Sequence, residues 1–328
     1  MAKKPMAAGK AETARSDRNL TLEAVRVTEA AAIAAAEWLG RGDEKAADQA
    51  AVDAMRAALN LIEMDGTVVI GEGERDEAPM LFIGERVGTG TGQKIDIALD
   101  PLEGTTLTAK AGSNALAVLA FAEAGGFLHA PDVYMDKIAV GGGLPADVID
   151  LDRSPAENLA ALARAKGVTV EAITACILDR PRHAELINAV RATGARIKLI
   201  TDGDVAGVIA TTDPETGIDI YMGSGGAPEG VLAAAALRCI GGHMQGRLLF
   251  RNDDERQRAR KWGVKDFDRK YNLLDLASGD VIFSATGVSD GWMLSGVKPR
   301  GDRVETHSLV MRSRTGTIRW IKGLARRP

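Results

Sequence analysis

The sequence predicts an α/β protein, on three observations. Two helical patterns open the chain, short glycine-bounded runs of strand character follow, and from Ala156 onward helical and extended patterns alternate. The chain has 328 residues, more than a usual single domain and too few for three, and no internal repeat or low-complexity linker divides it. One large domain of two closely joined lobes is expected.

Residues 1–17 carry Lys, Arg, Ala and Ser without an apolar stretch, which reads as a flexible tail rather than a secretory signal and leaves an organelle transit peptide open. From Leu22 to Leu39 apolar residues recur at helical spacing, with Asn19 and Thr21 as candidate caps and Gly40 past the end. A second helix shows the stripe Val52, Met55, Leu59 and Ile62 and is expected to end at the turn Asp65-Gly66. Thr67–Ile70, Ile95–Leu99 and Ala115–Phe121 then read as strands buried on both faces, separated by the Gly88–Gly92 turn and the segment around Gly104. Next come helix Ala156–Lys166, strand Ile173–Leu178, helix His183–Thr193, strand Arg196–Ile200, helix Asp204–Ala210 and strand Ile218–Met222. Val231–Cys239 is a helix with Pro228 in the first-turn position that proline tolerates. Arg247–Phe250 reads as extended, and the mixed-sign run Arg251–Lys270 as a solvated helix or excursion. Val281–Ala285, Thr306–Met311 and Thr317–Ile321 are late strands.

The net charge of -4 argues against nucleic-acid binding, so any phosphate affinity has to be local. No run of eighteen apolar residues exists, which predicts a soluble protein without a membrane partner. Cys176 and Cys239 sit in apolar stretches without CxxC spacing, as buried thiols of a reducing cytoplasm would. Gly88-Thr89-Gly90-Thr91-Gly92 precedes a strand instead of opening a helix, so it is no dinucleotide fingerprint; a P-loop and a serine nucleophile elbow are also missing.

The strongest chemical signal is Asp100-Pro101-Leu102-Glu103-Gly104-Thr105, directly after the strand Ile95–Leu99. Alternation sets Asp96 and Asp100 on the face opposite Ile95, Ile97 and Leu99, and puts Asp100 at the carboxyl end of the strand, where open α/β sheets hold ligands. Pro101 is expected to stop the ladder, Glu103 to turn back toward Asp100, and a helical turn from Gly104-Thr105 to aim N–H groups at an anion. An incidental turn would explain Asp100 and Gly104 but not Glu103 and Thr105.

Gly71-Glu72-Gly73-Glu74-Arg75-Asp76-Glu77 follows the first strand, and its glycines allow close backbone approach to a ligand; a solvated acidic loop is the competing reading. Asp48 shares a helical face with Val52, Met55 and Leu59, so it either meets a cation or serves as a first-turn acid. Glu229, within Gly225-Gly226-Ala227-Pro228-Glu229-Gly230, has the same two readings, with Gly226 a candidate sugar or phosphate contact. Oxygen ligands of this kind suit Mg²⁺ or Mn²⁺, whereas the four histidines lack ligand spacing. Arg180 and Arg182 suit a fork for a terminal phosphate, or a solvated helix start. Asp202-Gly203-Asp204 could accept sugar hydroxyls or cap the next helix.

Taken together, these segments resemble the class II fructose-1,6-bisphosphatases, some of which also act on sedoheptulose 1,7-bisphosphate. The similarity runs from about Asn19 to Ile321 and rests on WLGRGDEKAAD (38–48), DGTVVIGEGERDEAPM (65–80), DPLEGT (100–105), NALAVLA (114–120), APDVYMDK (130–137), RPRH (180–183), DGDVA (202–206), GGAPEG (225–230) and VIFSATG (281–287). DPLEGT alone would point only to the wider lithium-sensitive, metal-dependent superfamily that includes the inositol monophosphatases. The resemblance implies a layered α-β-α-β-α sandwich of the sugar phosphatase type, assembled as a homodimer or homotetramer. After the tail, residues 18–328 would form a single phosphatase domain. About 18–150 would make its metal-binding lobe, and about 151–328 its sugar-phosphate lobe and returning strands. The chain stops soon after Ile321 where some relatives continue, which leaves the C-terminal contacts and the oligomer open.

By the same resemblance Asp48 and Glu72 serve one Mg²⁺ or Mn²⁺, and Asp100, Glu103 and Glu229 a second. Thr105 matches the family's catalytic threonine, with Asp100 and Glu103 beside it. The substrate contacts carried over are Glu103, Gly104, Thr105, Tyr134, Arg180, Pro181, Arg182, Asp202, Gly203, Asp204 and Gly226. The implied reaction is hydrolysis of the 1-phosphate of fructose 1,6-bisphosphate by water. Two alternatives stand beside it: an inositol or other sugar monophosphatase, which Tyr134 and the arginine pair disfavour, and a catalytically silent sugar-phosphate sensor.

Overall fold

The computed structural model describes residues 8–73 and 80–327, with the side chains of 8–19 left aside. Helix α1 (Ala8–Ala36) starts well before the expected caps, so neither Asn19 nor Thr21 begins it. The upstream run is rich in Ala, Glu, Lys and Arg, all strong helix formers, and carries the helix across residues 8–17 of the expected tail. Residues 1–7 lie outside the described residues. Helix α2 (Glu44–Leu59) is capped by Asp43, whose carboxylate accepts from Ala46 N at 3.0 Å. Asp65-Gly66 is not a turn: both residues lie inside strand β1 (Met64–Ile70). Gly66 is there because a Cβ would come within 2.9 Å of Ile97 Cδ1 on the neighbouring strand.

The short β2 (Arg86–Val87) precedes β3 (Gln93–Glu103), which runs on past Pro101. The ladder is bulged between Asp100 and Glu103 rather than stopped, which lets a residue without an N–H sit in the strand. Then come α3 (Thr105–Ala109), β4 (Leu116–Glu123) and β5 (Tyr134–Gly141), the last not anticipated. The alternating stretch follows its expected order: α4 (Pro155–Lys166), β6 (Thr174–Leu178), α5 (Ala184–Ala192) behind a 3-10 turn at Pro181–His183, β7 (Arg196–Ile200), α6 (Asp204–Ala210), β8 (Ile220–Gly226) and α7 (Ala227–Ile240). Strand β9 (Gly242–Leu249), helix α8 (Asp253–Lys261) in the charged run, β10 (Lys270–Asn272) and α9 (Leu273–Leu276) lead to β11 (Val281–Gly287), β12 (Lys298–Arg300), β13 (Arg303–Arg312) and β14 (Thr317–Arg326).

Two mixed sheets result. The first is ordered β12-β13-β11-β4-β3-β1-β2 with β14 on the far side of β13, and the second β10-β9-β5-β8-β6-β7. Helices α1 and α2 pack on the outer face of the first sheet, with Ala24, Ala31, Met55 and Leu59 against Ile97, Leu119 and Phe121. Helices α6 and α7 lie between the sheets, and α4 and α5 cover the second sheet through Leu159, Leu162, Ile187 and Val190. The layers are thus α-β-α-β-α, as expected. Between Glu229 and Arg238 helix α7 is apolar all round, with every residue from Gly230 to Leu237 buried, because a sheet covers it on each side. Across the outer layer, Thr28 of α1 bonds Ser284 at 3.0 Å and Thr286 at 2.8 Å on β11.

The parallel pairs converge on two edges. Strand β1 runs parallel to β3, and β6 runs parallel to both β7 and β8, so each group delivers its carboxyl ends on one edge. Among the described residues no helix is long and apolar enough to cross a membrane. Cys176 and Cys239 are buried and unpaired, and burial pushes both thiols up to about 12.

Candidate active site

Five acidic residues are carried to one place by four elements. Asp48 lies on α2, beyond its first turn, which removes the first-turn reading. Glu72 follows the carboxyl end of β1, Asp100 and Glu103 end β3, and Glu229 stands in the first turn of α7. Asp100 Oδ1 accepts from Leu102 N at 3.0 Å, an Asx-type contact across the bulge, and Glu103 Oε1 accepts from Val205 N at 2.9 Å in the first turn of α6. Glu103 thereby ties the first sheet to the inter-sheet helices. Of the acidic segment after β1, Glu74, Asp76 and Glu77 lie outside the described residues.

The electrostatics report the grouping. Asp100 keeps some contact with water yet is walled by protein, and burial, then the Glu72, Glu229 and Asp48 carboxylates, hold its pKa well above the ordinary range. Burial, with Asp204, Asp100 and Glu229, does the same to Glu103. Glu72 is pushed up to about 8 by burial and by Asp48, Glu229 and Asp132. Glu229 is raised to about 7 by burial and Asp204, opposed by Lys137. Asp48 is raised by burial. Among the described residues, Glu103 Oε2 and Glu229 Oε2 are buried without a hydrogen-bond partner.

Such a cluster suits divalent cations in its chemistry: the donors are all oxygens, two of them are orphaned, and their mutual repulsion calls for positive charge. Among the described residues, however, no three acidic, histidine or cysteine side chains already converge at coordination distance. The carboxylates are gathered within electrostatic reach but not closed around a point.

The second sheet supplies the other half. Tyr134 opens β5 and pairs with Gly226 at the end of β8. A Cβ on Gly226 would stand 1.9 Å from Glu229 Oε2, so only glycine lets the carboxylate fold back over the loop. After β6, Arg182 donates to the Ser224 carbonyl from Nη2 at 2.7 Å and lies 4.9 Å from the Tyr134 ring centre. Arg180 pairs with Asp202 at 3.6 Å, and Pro181 starts the 3-10 turn between the two arginines. His183 fixes this turn: Nδ1 donates to the Leu178 carbonyl at 2.8 Å while Nε2 accepts from Ser224 N at 2.9 Å. Gly203 and Asp204 lead from β7 into α6, with Gly203 in the left-handed region at φ 83° and the Asp204 carboxylate paired with Lys137. Gly104 does the same ahead of α3 at φ 91°, and Thr105 is the first residue of that helix.

Sequence reasoning passed over three side chains here. Lys137 is buried on β5 and donates to Asp204 and, at 2.9 Å, to the Gly226 carbonyl. Arg251 lies 5.2 Å from the Tyr134 ring centre, so two guanidinium groups flank that ring. Asp132 adds its charge to Glu72 and Glu229. All three lie in or beside segments already singled out, but only the antiparallel pairing of β5 with β8 and β9 brings them to the site.

Comparison with known proteins places the chain in a family. A profile of the family described as bacterial fructose-1,6-bisphosphatase, glpX-encoded, matches residues 18–325. The D-fructose 1,6-bisphosphatase class 2/sedoheptulose 1,7-bisphosphatase of Synechococcus sp. (strain JA-3-3Ab) is 45% identical over 330 residues, covering 93% of this chain and 95% of its own. The fructose-1,6-bisphosphatase 1 class 2 of Escherichia coli (strain K12) is 47% identical over 320 residues, covering 94% and 95%. With a match this long and identities this high over nearly the whole chain, the protein belongs to the bacterial class 2 fructose-1,6-bisphosphatase family.

Proposed function

We propose that the protein hydrolyses the 1-phosphate of fructose 1,6-bisphosphate to fructose 6-phosphate and inorganic phosphate, and that sedoheptulose 1,7-bisphosphate is a second substrate. The observation that carries the reading is the carboxylate cluster at the carboxyl ends of β1 and β3, opposite an arginine–tyrosine site at the end of β6. One pole suits a reacting phosphate and the other a distal one. The Synechococcus and Escherichia coli relatives bear bisphosphatase names, which favours this over the inositol or sugar monophosphatase reading.

In this reading Asp48 and Glu72 hold one Mg²⁺ or Mn²⁺, and Asp100, Glu103 and Glu229 hold a second. When bound, such cations neutralise charge on phosphoryl oxygens and make water more acidic. The Thr105 hydroxyl orients the attacking water or a phosphate oxygen, and the neighbouring carboxylates accept its proton. Glu103, Gly104 and Thr105 border the reacting phosphate, Tyr134, Arg180, Pro181 and Arg182 border the distal one, and Asp202, Gly203, Asp204 and Gly226 meet the sugar. Holding the distal phosphate orients the ester for attack, so a monophosphate reacts slowly. The first lobe, about 18–150, supplies most metal ligands and the second most sugar contacts, with Glu229 crossing over. We place the enzyme in the cytoplasm as a homodimer or homotetramer.

The test is phosphate release from both bisphosphates after chelator treatment, with each metal added back. Turnover without added metal, or equal turnover of inositol monophosphate, would reject it.

A further inference from the structure

Strand β14 closes the first sheet, and among the described residues it pairs with β13 alone. Its register with β13 is unbroken from Thr317 to Arg326. Beyond its end, Arg327 N donates to the Asp302 carbonyl at 3.1 Å, which fixes the phase of the ladder. Odd-numbered residues of β14 aim their backbone groups at β13, and Ile318, Trp320, Lys322, Leu324 and Arg326 aim theirs off the sheet edge. Three of these five also carry uncovered apolar side chains: Trp320 is 67% exposed, Leu324 53% and Ile318 39%. Natural sheets protect long edges with proline, bulges, charged side chains or covering elements. Among the described residues no proline, bulge or covering element lies along β14, and of its two outward-facing charges Lys322 is paired with Glu305 of its own sheet at 3.0 Å, which leaves Arg326.

We propose that this edge pairs antiparallel with β14 of a second copy across a two-fold axis centred on Ile321. The proposal deepens the homo-oligomer reading and does not depend on the chemistry of the site. Backbone phase restricts the register, because hydrogen-bonded pairs must join even-numbered residues of both copies. Centring on Lys322 would stack like charges. Centring on Ile321 sets Ile318 against Leu324 of the other copy and Trp320 against its Lys322, a cation over an aromatic ring.

The opposite face of the strand provides the charge complement. Arg319 then faces Gly323 of the other copy. Gly323 has no side chain, and a Cβ there would lie 2.5 Å from Glu29 Oε1 of α1, so that carboxylate hangs over the position Arg319 would reach. The two-fold axis makes this Arg319–Glu29 pair twice. Among residues 317–326 the charges are Arg319, Lys322 and Arg326, all basic, and Glu29 is the acid that balances one of them across the interface.

The experiment is mass by light scattering across a dilution series, with circular dichroism to check folding. Leu324→Pro removes an N–H that faces away from β13, so the monomer loses no ladder bond while the pairing is blocked. Its mass is expected to fall to half that of the wild type. Glu29→Arg and Arg319→Glu are each expected to weaken association about tenfold or more, and the double variant to restore it. A monomeric wild type, or a folded Leu324→Pro that keeps wild-type mass, overturns the proposal. Because mass is the readout, failure of the phosphatase reading would leave this result untouched.

Discussion

Lys137 and Asp204 form a buried ion pair, and the same ammonium donates to the Gly226 carbonyl at 2.9 Å. One side chain on β5 thus joins the start of α6 to the start of α7, whose first turn carries Glu229. Its positive charge also restrains the rise in the Glu229 pKa. Replacing it by an apolar residue strands the Asp204 carboxylate in a site where water cannot replace the lost partner. Lys137→Met is expected to destabilise the protein by about 3 to 5 kcal/mol in urea unfolding, and Lys137→Met/Asp204→Asn to regain part of that. A loss below about 1 kcal/mol, the scale of an exposed pair, would show that the pair is ordinary.

Asp100 stands among like charges, so its removal should have opposite effects on stability and rate. Asp100→Asn relieves repulsion on Glu103 and is expected to raise the midpoint of thermal unfolding without metal at pH 8. Turnover of the bisphosphate should fall about a hundredfold or more, as it should for Thr105→Ala. Variants that turn over like the wild type would remove both residues from the mechanism.

Arg182 is held by the Ser224 carbonyl and the Tyr134 ring, leaving its guanidinium committed to one edge of the site. Loss of a charge-assisted contact to the distal phosphate predicts that Arg182→Ala raises KM about tenfold or more while kcat changes little. Arg182→Lys should not restore it, since an ammonium cannot reproduce the planar fork. An unchanged KM in steady-state assays would place the distal phosphate elsewhere.

These residues also mark how far the sequence could be read. Asp100 and Glu103 were legible because a strand of alternating pattern runs straight into them. Pro101 misled, since a bulge accommodates a proline that a regular ladder excludes. Strand β5 is not legible because Asp136 and Lys137 interrupt its apolar run, and Lys137 tolerates burial through partners remote in sequence, Asp204, 67 residues away, and the Gly226 carbonyl, 89 residues away. Arg251 was hidden in a charged run whose pattern reads as solvent-facing; its nearness to Tyr134 depends on β9 lying beside β5. The helices are easier, although the middle of α7, between Glu229 and Arg238, has no polar face and so announces burial without direction.

Without metal, the carboxylate cluster should make stability depend on pH. Glu72 rises to about 8 and Glu229 to about 7 in the folded state, against ordinary carboxyl values when unfolded. Between those values the folded protein binds more protons than the unfolded chain, so stability falls as pH rises. The contribution is fully present below the ordinary carboxyl pKa near 4.5 and is lost by about pH 8. Chelated protein should therefore show a falling midpoint of thermal unfolding between about pH 5 and 8. Added Mg²⁺ or Mn²⁺ competes with those protons, so its stabilising effect should grow over the same interval. Glu72→Gln should flatten the metal-free profile and shrink the metal effect together. A metal-free midpoint that climbs toward pH 8, or a metal effect that is constant with pH, would mean that these carboxylates are not the groups that bind the cation.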